Sequence, residues 1–314
     1  MFSLDNIKIH KGHSDYFLNE INQLKSRIYG SSASLIDINS EYYKSNIKTV
    51  FLLEFNSTII GSAILFFNSD IQIFNQSTYL LGAFEIQFDY MDLAPYFIRN
   101  IENEAFILGA KYILGPLNGS TWFDYRFKIK SEALNFPGEL NHSDFYSQLW
   151  LENNFKIFNT YTSQIQFDIN PQSLDLNYTK SIFNEKIIIK NKDIELEEAL
   201  KLIYPLLMNS FKGKEFFSSI SLRDFIRLNL RLESFIKDEY FLMAIDENSN
   251  ECVGFLMAYP NLFDLNKKGL VIKTLARKNS LKWAGLGYLL SERILKIAQS
   301  KNFDYLIHAH MSSN

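Results

Sequence analysis

The sequence predicts an α/β chain made of two successive domains, each built on a mixed (α+β) sheet. Three observations lead there. At 314 residues the chain is too long for one comfortable core and about right for two. A helical opening, a hairpin, a strand, a helix and a strand follow in that order on both sides of a polar stretch at 170–184. In the second half, strand–helix–helix–hairpin–strand–helix–strand, only the last two strands have to be parallel, because a crossover helix joins them.

The elements follow from local patterns. Phe17, Ile21, Leu24 and Ile28 recur at helical spacing. Two strand-like runs, Thr49–Phe55 and Thr58–Phe67, meet at Asn56-Ser57, which is hairpin chemistry. A third run, Thr78–Ile86, leads into a helical pattern over Ala94–Leu108 that Gly109 closes. Lys111–Leu114 reads as a strand entering Gly115-Pro116. A short helix at Ser143–Glu152 and strands at Phe155–Phe158 and Tyr161–Ile169 complete the half. Pro171 and its polar neighbours mark 171–184 as a linker between domains at 1–170 and 185–314. Beyond it, Lys186–Ile189 is a strand, and Ile194–Phe211 and Leu222–Phe235 are helical patterns. Tyr240–Ile245 and Cys252–Tyr259 form a hairpin, followed by strand Leu270–Ala276, helix Gly285–Ser300 and strand Asp304–Ala309.

Composition narrows the function classes. The apolar share of 47% with mixed charges describes a globular protein. A net charge of -3 removes the generic electrostatic argument for a nucleic-acid partner. No stretch reaches the ~18 apolar residues of a membrane helix. Met1-Phe2-Ser3-Leu4-Asp5 lacks the basic and apolar regions of a signal peptide, so no membrane partner and a cytoplasmic location are expected. Cys252 has no partner for an internal disulfide and reads as a buried, reduced thiol.

The segment that carries chemistry is Leu270–Ala309. Its strand ends in the polar loop Arg277-Lys278-Asn279-Ser280-Leu281, and Lys282-Trp283-Ala284-Gly285-Leu286-Gly287-Tyr288 opens an amphipathic helix. Glycines at a helix start let a ligand approach the backbone, and the unpaired N–H groups there suit phosphate oxygens. A Walker A loop is absent. Leu290 stands where a dinucleotide fingerprint needs its third glycine. The bland alternative is a helix whose glycines merely permit close packing.

Lys282-Trp283-Ala284-Gly285-Leu286-Gly287, between that strand and helix, resembles the coenzyme motif [Q/R]-x-x-G-x-[G/A] of the GNAT superfamily of acyl-CoA-dependent N-acyltransferases. Lys282 departs from the usual Gln or Arg. The resemblance implies two tandem GNAT-like domains, with the coenzyme in the second. The main chain of Leu275, Ala276 and Arg277 would then pair with the pantetheine arm and stabilise the oxyanion. The N–H groups of Trp283, Ala284, Gly285, Leu286, Gly287 and Tyr288 would hold the pyrophosphate, with Lys282 as a point charge. It further implies an acetyl-CoA donor and a small-molecule or peptide amine acceptor that attacks the thioester directly. A non-catalytic coenzyme-binding or interaction module is the alternative. A third reading, tRNA-dependent transfer, fits the acidic balance less well.

In the first half the equivalent segment, Phe84 to Pro95, has no glycine and carries Glu85, Asp89 and Asp92, so coenzyme binding is expected to be lost there. Glu85 is either a base facing a cleft or an ordinary carboxylate. The stretch Gly115–Arg126 resembles one in bacterial tandem-GNAT proteins. It offers Asn118, Trp122, Tyr125 and Arg126 either as acceptor contacts or as parts of a structural loop. His308 and His310 stand two apart and are expected to face the same way. No nearby Cys or acid completes a zinc site, so no metal is expected. The family pattern continues past the last strand with a helix and two strands, so the second domain is expected to lack them. Asp304–Ala309 would then expose an open edge, with self-association as the escape.

Overall fold

The computed structural model describes residues 6–129, 135–140, 142–170 and 187–312. The linker expected at 171–184 lies outside them. The chain divides into two compact units. The first takes the described residues up to 129 with those of 140–156 and 213–219; the second takes 135–139, 157–170, 187–212 and 220–312.

The first unit contains β1 (Ile7–Gly12), α1 (Asp15–Tyr29), α2 (Glu41–Asn46), β2 (Ile47–Phe55), β3 (Thr58–Phe67), β4 (Thr78–Ile86), α3 (Ala94–Ile107), β5 (Tyr112–Leu114) and α4 (Phe145–Glu152). Its sheet runs β1-β2-β3-β4-β5, antiparallel until the parallel β4–β5 pair. The hairpin expected at Asn56-Ser57 forms, with φ of 47° and 61°, the left-handed pair that suits a two-residue turn. Pro95 sits in the first turn of α3, where a missing N–H costs nothing. α3 buries Phe97, Ile98 and Ile101, and α4 buries Tyr146, Leu149 and Trp150, against Phe51, Leu53, Leu65 and Leu81 of the sheet. β1 had no sequence signal beyond a short alternation of Ile7 and Ile9 with Lys8 and His10.

The second unit contains β6 (Tyr161–Gln166), β7 (Ile187–Asn191), α5 (Leu196–Phe211), α6 (Leu222–Leu230), β8 (Phe241–Asp246), β9 (Glu251–Asn261), β10 (Gly269–Arg277), α7 (Leu286–Ser300) and β11 (Tyr305–Ser312). Its sheet runs β6-β11-β10-β9-β8-β7. The β7 to β11 part repeats the order and the strand senses of the first sheet. α7 turns Leu286, Leu290, Ile294 and Ala298 onto Leu256, Leu270, Ile272 and Leu306. Each large side chain so buried contributes about 1.5–3 kcal/mol. The opposite face presents Tyr259, Val271, Tyr305 and Ile307, on which Phe136, Leu232, Phe235 and Ile236 pack.

Three expectations need correction. Tyr161–Ile169 does not close the first half: β6 joins the second sheet, antiparallel to β11 through Leu306↔Gln166, Ile307↔Ile165 and His308↔Gln164. The edge of β11 is therefore paired, not open, and the argument for self-association from that edge falls. Periodicity fixes a strand and its faces but is silent on which sheet the strand joins. Phe155–Phe158 forms no strand, and Ile157 and Phe158 are exposed.

Candidate functional site

β10 and β11 pair over only four residues each, Gly269–Ile272 against Tyr305–His308. Beyond Ile272 and His308 no β10–β11 pair forms among the described residues. β10 continues along β9 from Thr274 to Arg277, and β11 continues along β6 at Met311 and Ser312. The parallel pair thus opens into a V. A bulge marks the fork, since Ile272 faces Ala258 while Thr274 already faces Met257, leaving Lys273 as the extra residue. Leu275, Ala276 and Arg277 form the β10 arm, and the Arg277 carbonyl accepts a 2.8 Å hydrogen bond from the Ser210 hydroxyl on α5.

The helix start expected to hold phosphate follows directly. Gly285 caps α7 at φ 87°, a left-handed conformation that suits glycine. The N–H groups of Trp283, Ala284 and Tyr288 bond the carbonyls of Ser280, Leu281 and Gly285, which takes them from the set expected for a ligand. Helix geometry leaves the first-turn donors of Leu286 and Gly287. A Cβ at Gly287 would stand 3.8 Å from Leu275 Cδ2, an ordinary van der Waals contact. Trp283 is buried in the core beneath α7. Lys282 stands 4.5 Å above the Trp283 ring and 3.5 Å from Asp246 Oδ2, which anchors its ammonium near the loop.

The corresponding place in the first unit is filled by its own chain. β5 ends after three residues, and the following loop continues along β4. Leu117 N–H donates to the Leu81 carbonyl at 2.9 Å, and Asn118 Oδ1 accepts from Ala83 N–H at 2.7 Å. A Cβ on Gly82 would lie 2.3 Å from Asn118 Oδ1, so the two segments are in tight contact. Asn118 is buried and has a structural role. Trp122 Nε1 donates to the Ser218 carbonyl at 2.8 Å. Tyr125 pairs with Leu117 across the loop, and the Arg126 guanidinium lies 4.5 Å over the Tyr125 ring.

Glu85 is not a cleft carboxylate. It is 2% exposed, and its Oε2 accepts from the hydroxyls of Tyr29 and Tyr146, both at 2.8 Å. Its Oε1 lies 3.7 Å from Lys25 Nζ, which in turn lies 3.6 Å from Asp124. Burial pushes the Glu85 carboxyl up, opposed by Lys25 and the two hydroxyls. His142 adjoins this network. Its Nε2 is sealed from solvent with no hydrogen-bond partner among the described residues. Burial lowers its pKa to about 4, against the pull of Asp124. An unfolded histidine titrates near ~6.5. Between those values only the unfolded chain takes the proton, so this contribution to stability declines as pH falls from 6.5 to 4. Urea unfolding at pH 7 and pH 5 should show that loss, and His142→Asn should shrink it.

The two histidines of β11 do not face the same way. His308 Nε2 lies 2.9 Å from Gln166 Oε1, whereas His310 Nδ1 lies 3.1 Å from Ser163 Oγ. Gln166 and Ser163 stand on opposite faces of β6, and the register shift between His308 and Met311 accounts for the reversal. His310 Nδ1 also lies 3.7 Å from Glu139 Oε2, with side-chain exposures of 9% and 13%. Nothing in the sequence links Glu139 to His310, because the pair comes from separate segments of the chain. No group of three or more His, Cys, Asp or Glu side chains that could hold a metal ion occurs among the described residues. No helix among them is long and apolar enough to cross a membrane. The Cys252 thiol is half-buried, and burial pushes it up to about 11.

No protein-family model and no curated protein matches the sequence. Among solved structures, the chain is similar to a GCN5-related N-acetyltransferase from Kribbella flavida, with 7% identity and a TM-score of 0.51. That match covers 100% of this chain and 66% of the other, so the chain spans just under two thirds of that relative's length. A GCN5-related N-acetyltransferase from Sphaerobacter thermophilus is similar at 9% identity and a TM-score of 0.42, over 99% of this chain and 88% of that one. With its two mixed sheets and the crossover helix before each parallel strand, the chain has the fold of the GCN5-related N-acetyltransferases.

Proposed function

We propose that the second unit binds an acyl-CoA, acetyl-CoA in first place, and transfers its acyl group to a primary amine. The observation that carries this reading is the V between β10 and β11, with the Gly285–Gly287 helix start behind it. The β10 arm supplies main-chain groups that can pair with an extended amide-bearing chain, as an added strand would. The N–H groups of Leu286 and Gly287 then face the pyrophosphate with the positive end of α7, and Lys282 adds charge. The bound thioester supplies the acyl carbon that the amine attacks.

Only one such site is expected. In the first unit, Leu117 and Asn118 take the main-chain groups of Leu81 and Ala83 that a pantetheine arm would need. Calorimetric titration with CoA should give one binding event per chain. Two events, or none, overturn the reading. Binding without thiol release from acetyl-CoA, over a diamine, an aminosugar and a peptide with a free α-amine, favours the non-catalytic module.

A further inference from the structure

We propose that His310 is the general base for the acceptor amine in the second unit, positioned by Glu139 and Ser163. This rests on the acyl-CoA reading above. β11 leaves β10 after His308, so His310 stands two residues along the second arm of the V, close to the fork. An acyl group carried along the β10 arm towards the Lys273 bulge would end beside that same fork. β10 itself brings no carboxylate to the fork, since Gly269–Arg277 contains none. The other carboxylate considered, Glu85, belongs to the buried network of the first unit.

The surroundings of His310 suit the task. Its Nδ1 meets a carboxylate oxygen of Glu139 at 3.7 Å and the Ser163 hydroxyl at 3.1 Å. A carboxylate beside Nδ1 favours the tautomer with the proton there, which makes Nε2 the accepting nitrogen and stabilises the imidazolium once formed. The Phe136 ring lies 5.5 Å from the imidazole at an interplanar angle of 32°, which holds the ring plane. The segment bearing Phe136 and Glu139 is tied to the sheet by Tyr259, whose hydroxyl donates to the Pro137 carbonyl at 2.6 Å. Lys273, the bulged residue of β10, reaches the same segment, its Nζ 3.9 Å from where a Cβ on Gly138 would stand.

The step balances without a further reactant. The neutral amine nitrogen forms the C–N bond to the acyl carbon, and its proton passes to His310 Nε2. The C–S bond breaks, the coenzyme thiolate takes a proton from water, and the imidazolium returns its proton to solvent. General-base help of this kind contributes about a hundredfold or more.

The test separates this idea from the reading beneath it. His310→Gln should lower kcat for thiol release about a hundredfold with CoA affinity unchanged within about twofold. Glu139→Gln should move the acid limb of the kcat/KM profile to lower pH, because the imidazolium loses its carboxylate; a merely structural role would not shift that limb. In the unsubstituted protein, the His310 imidazole signals in an NMR titration should move on saturation with acetyl-CoA, whether or not an acceptor is found. If CoA binds but those signals stay still, or His310→Gln retains the rate, the base assignment is overturned and the coenzyme reading stands. If CoA does not bind, both fall.

Discussion

Gly287→Leu is expected to weaken CoA binding about a hundredfold or more while leaving the thermal midpoint within a few degrees. Gly287 sits in the first turn of α7, where its N–H has no carbonyl four residues back. Two charge-assisted hydrogen bonds to a pyrophosphate, at about 1.5–3 kcal/mol each, account for a loss of that size when a side chain holds the ligand off. Folding should tolerate the change, since the added Cβ meets only the Leu275 side chain at 3.8 Å, and leucine is a better helix former than glycine. Gly285 is a poorer choice of target. Its φ of 87° means that any side chain strains the backbone, so lost binding there does not separate a ligand effect from a folding effect. Calorimetry on Gly287→Leu, beside its melting curve, decides the matter. Undiminished affinity would remove the helix start from the coenzyme site.

What the sequence made legible was local. The α7 pattern, the glycine start and the strand before it are contiguous, so periodicity and one motif found them. The Asn56-Ser57 hairpin was found for the same reason. What it hid was long-range. β6 reads as a strand of the first half and pairs in the second sheet, because alternation sets faces but not partners. Asn118 looked like a loop side chain offered to a substrate. Its carbonyl oxygen instead satisfies the Ala83 N–H on the neighbouring strand, a contact that no spacing rule foretells. His308 and His310 obey the two-residue rule only on an unbroken strand, and the register shift defeats it. Glu85 was ambiguous because a strand residue of this kind faces either a cleft or a core. Lys25 and Tyr29 on α1 and Tyr146 on α4, which decide it, are all distant from it in sequence.

Glu85→Ala is expected to cost about 3–5 kcal/mol of stability, the usual result of stripping one partner from a buried ion pair. Lys25 is 4% exposed, and after the change Asp124, at 3.6 Å, is the carboxylate that remains beside it. The hydroxyls of Tyr29 and Tyr146 lose the acceptor that both now use. At roughly two to four degrees per kcal/mol for a domain of this size, the midpoint should fall by about 10 °C. Glu85→Gln should cost less, because an amide oxygen still accepts from one tyrosine and the site stays filled, with Asp124 beside Lys25. Removing both charges together, as Lys25→Met with Glu85→Gln, should cost less than the sum of the single changes, since an apolar replacement escapes the desolvation that the pair must offset. Thiol release per folded molecule should stay the same in all three, because Glu85 and Lys25 belong to the first unit and are not among the groups on β10, β11 or α7 assigned to the coenzyme and the acceptor. The opposite pattern, a rate loss in Glu85→Gln with the melting curve unmoved, would return Glu85 to the role of a base and take the assignment away from His310.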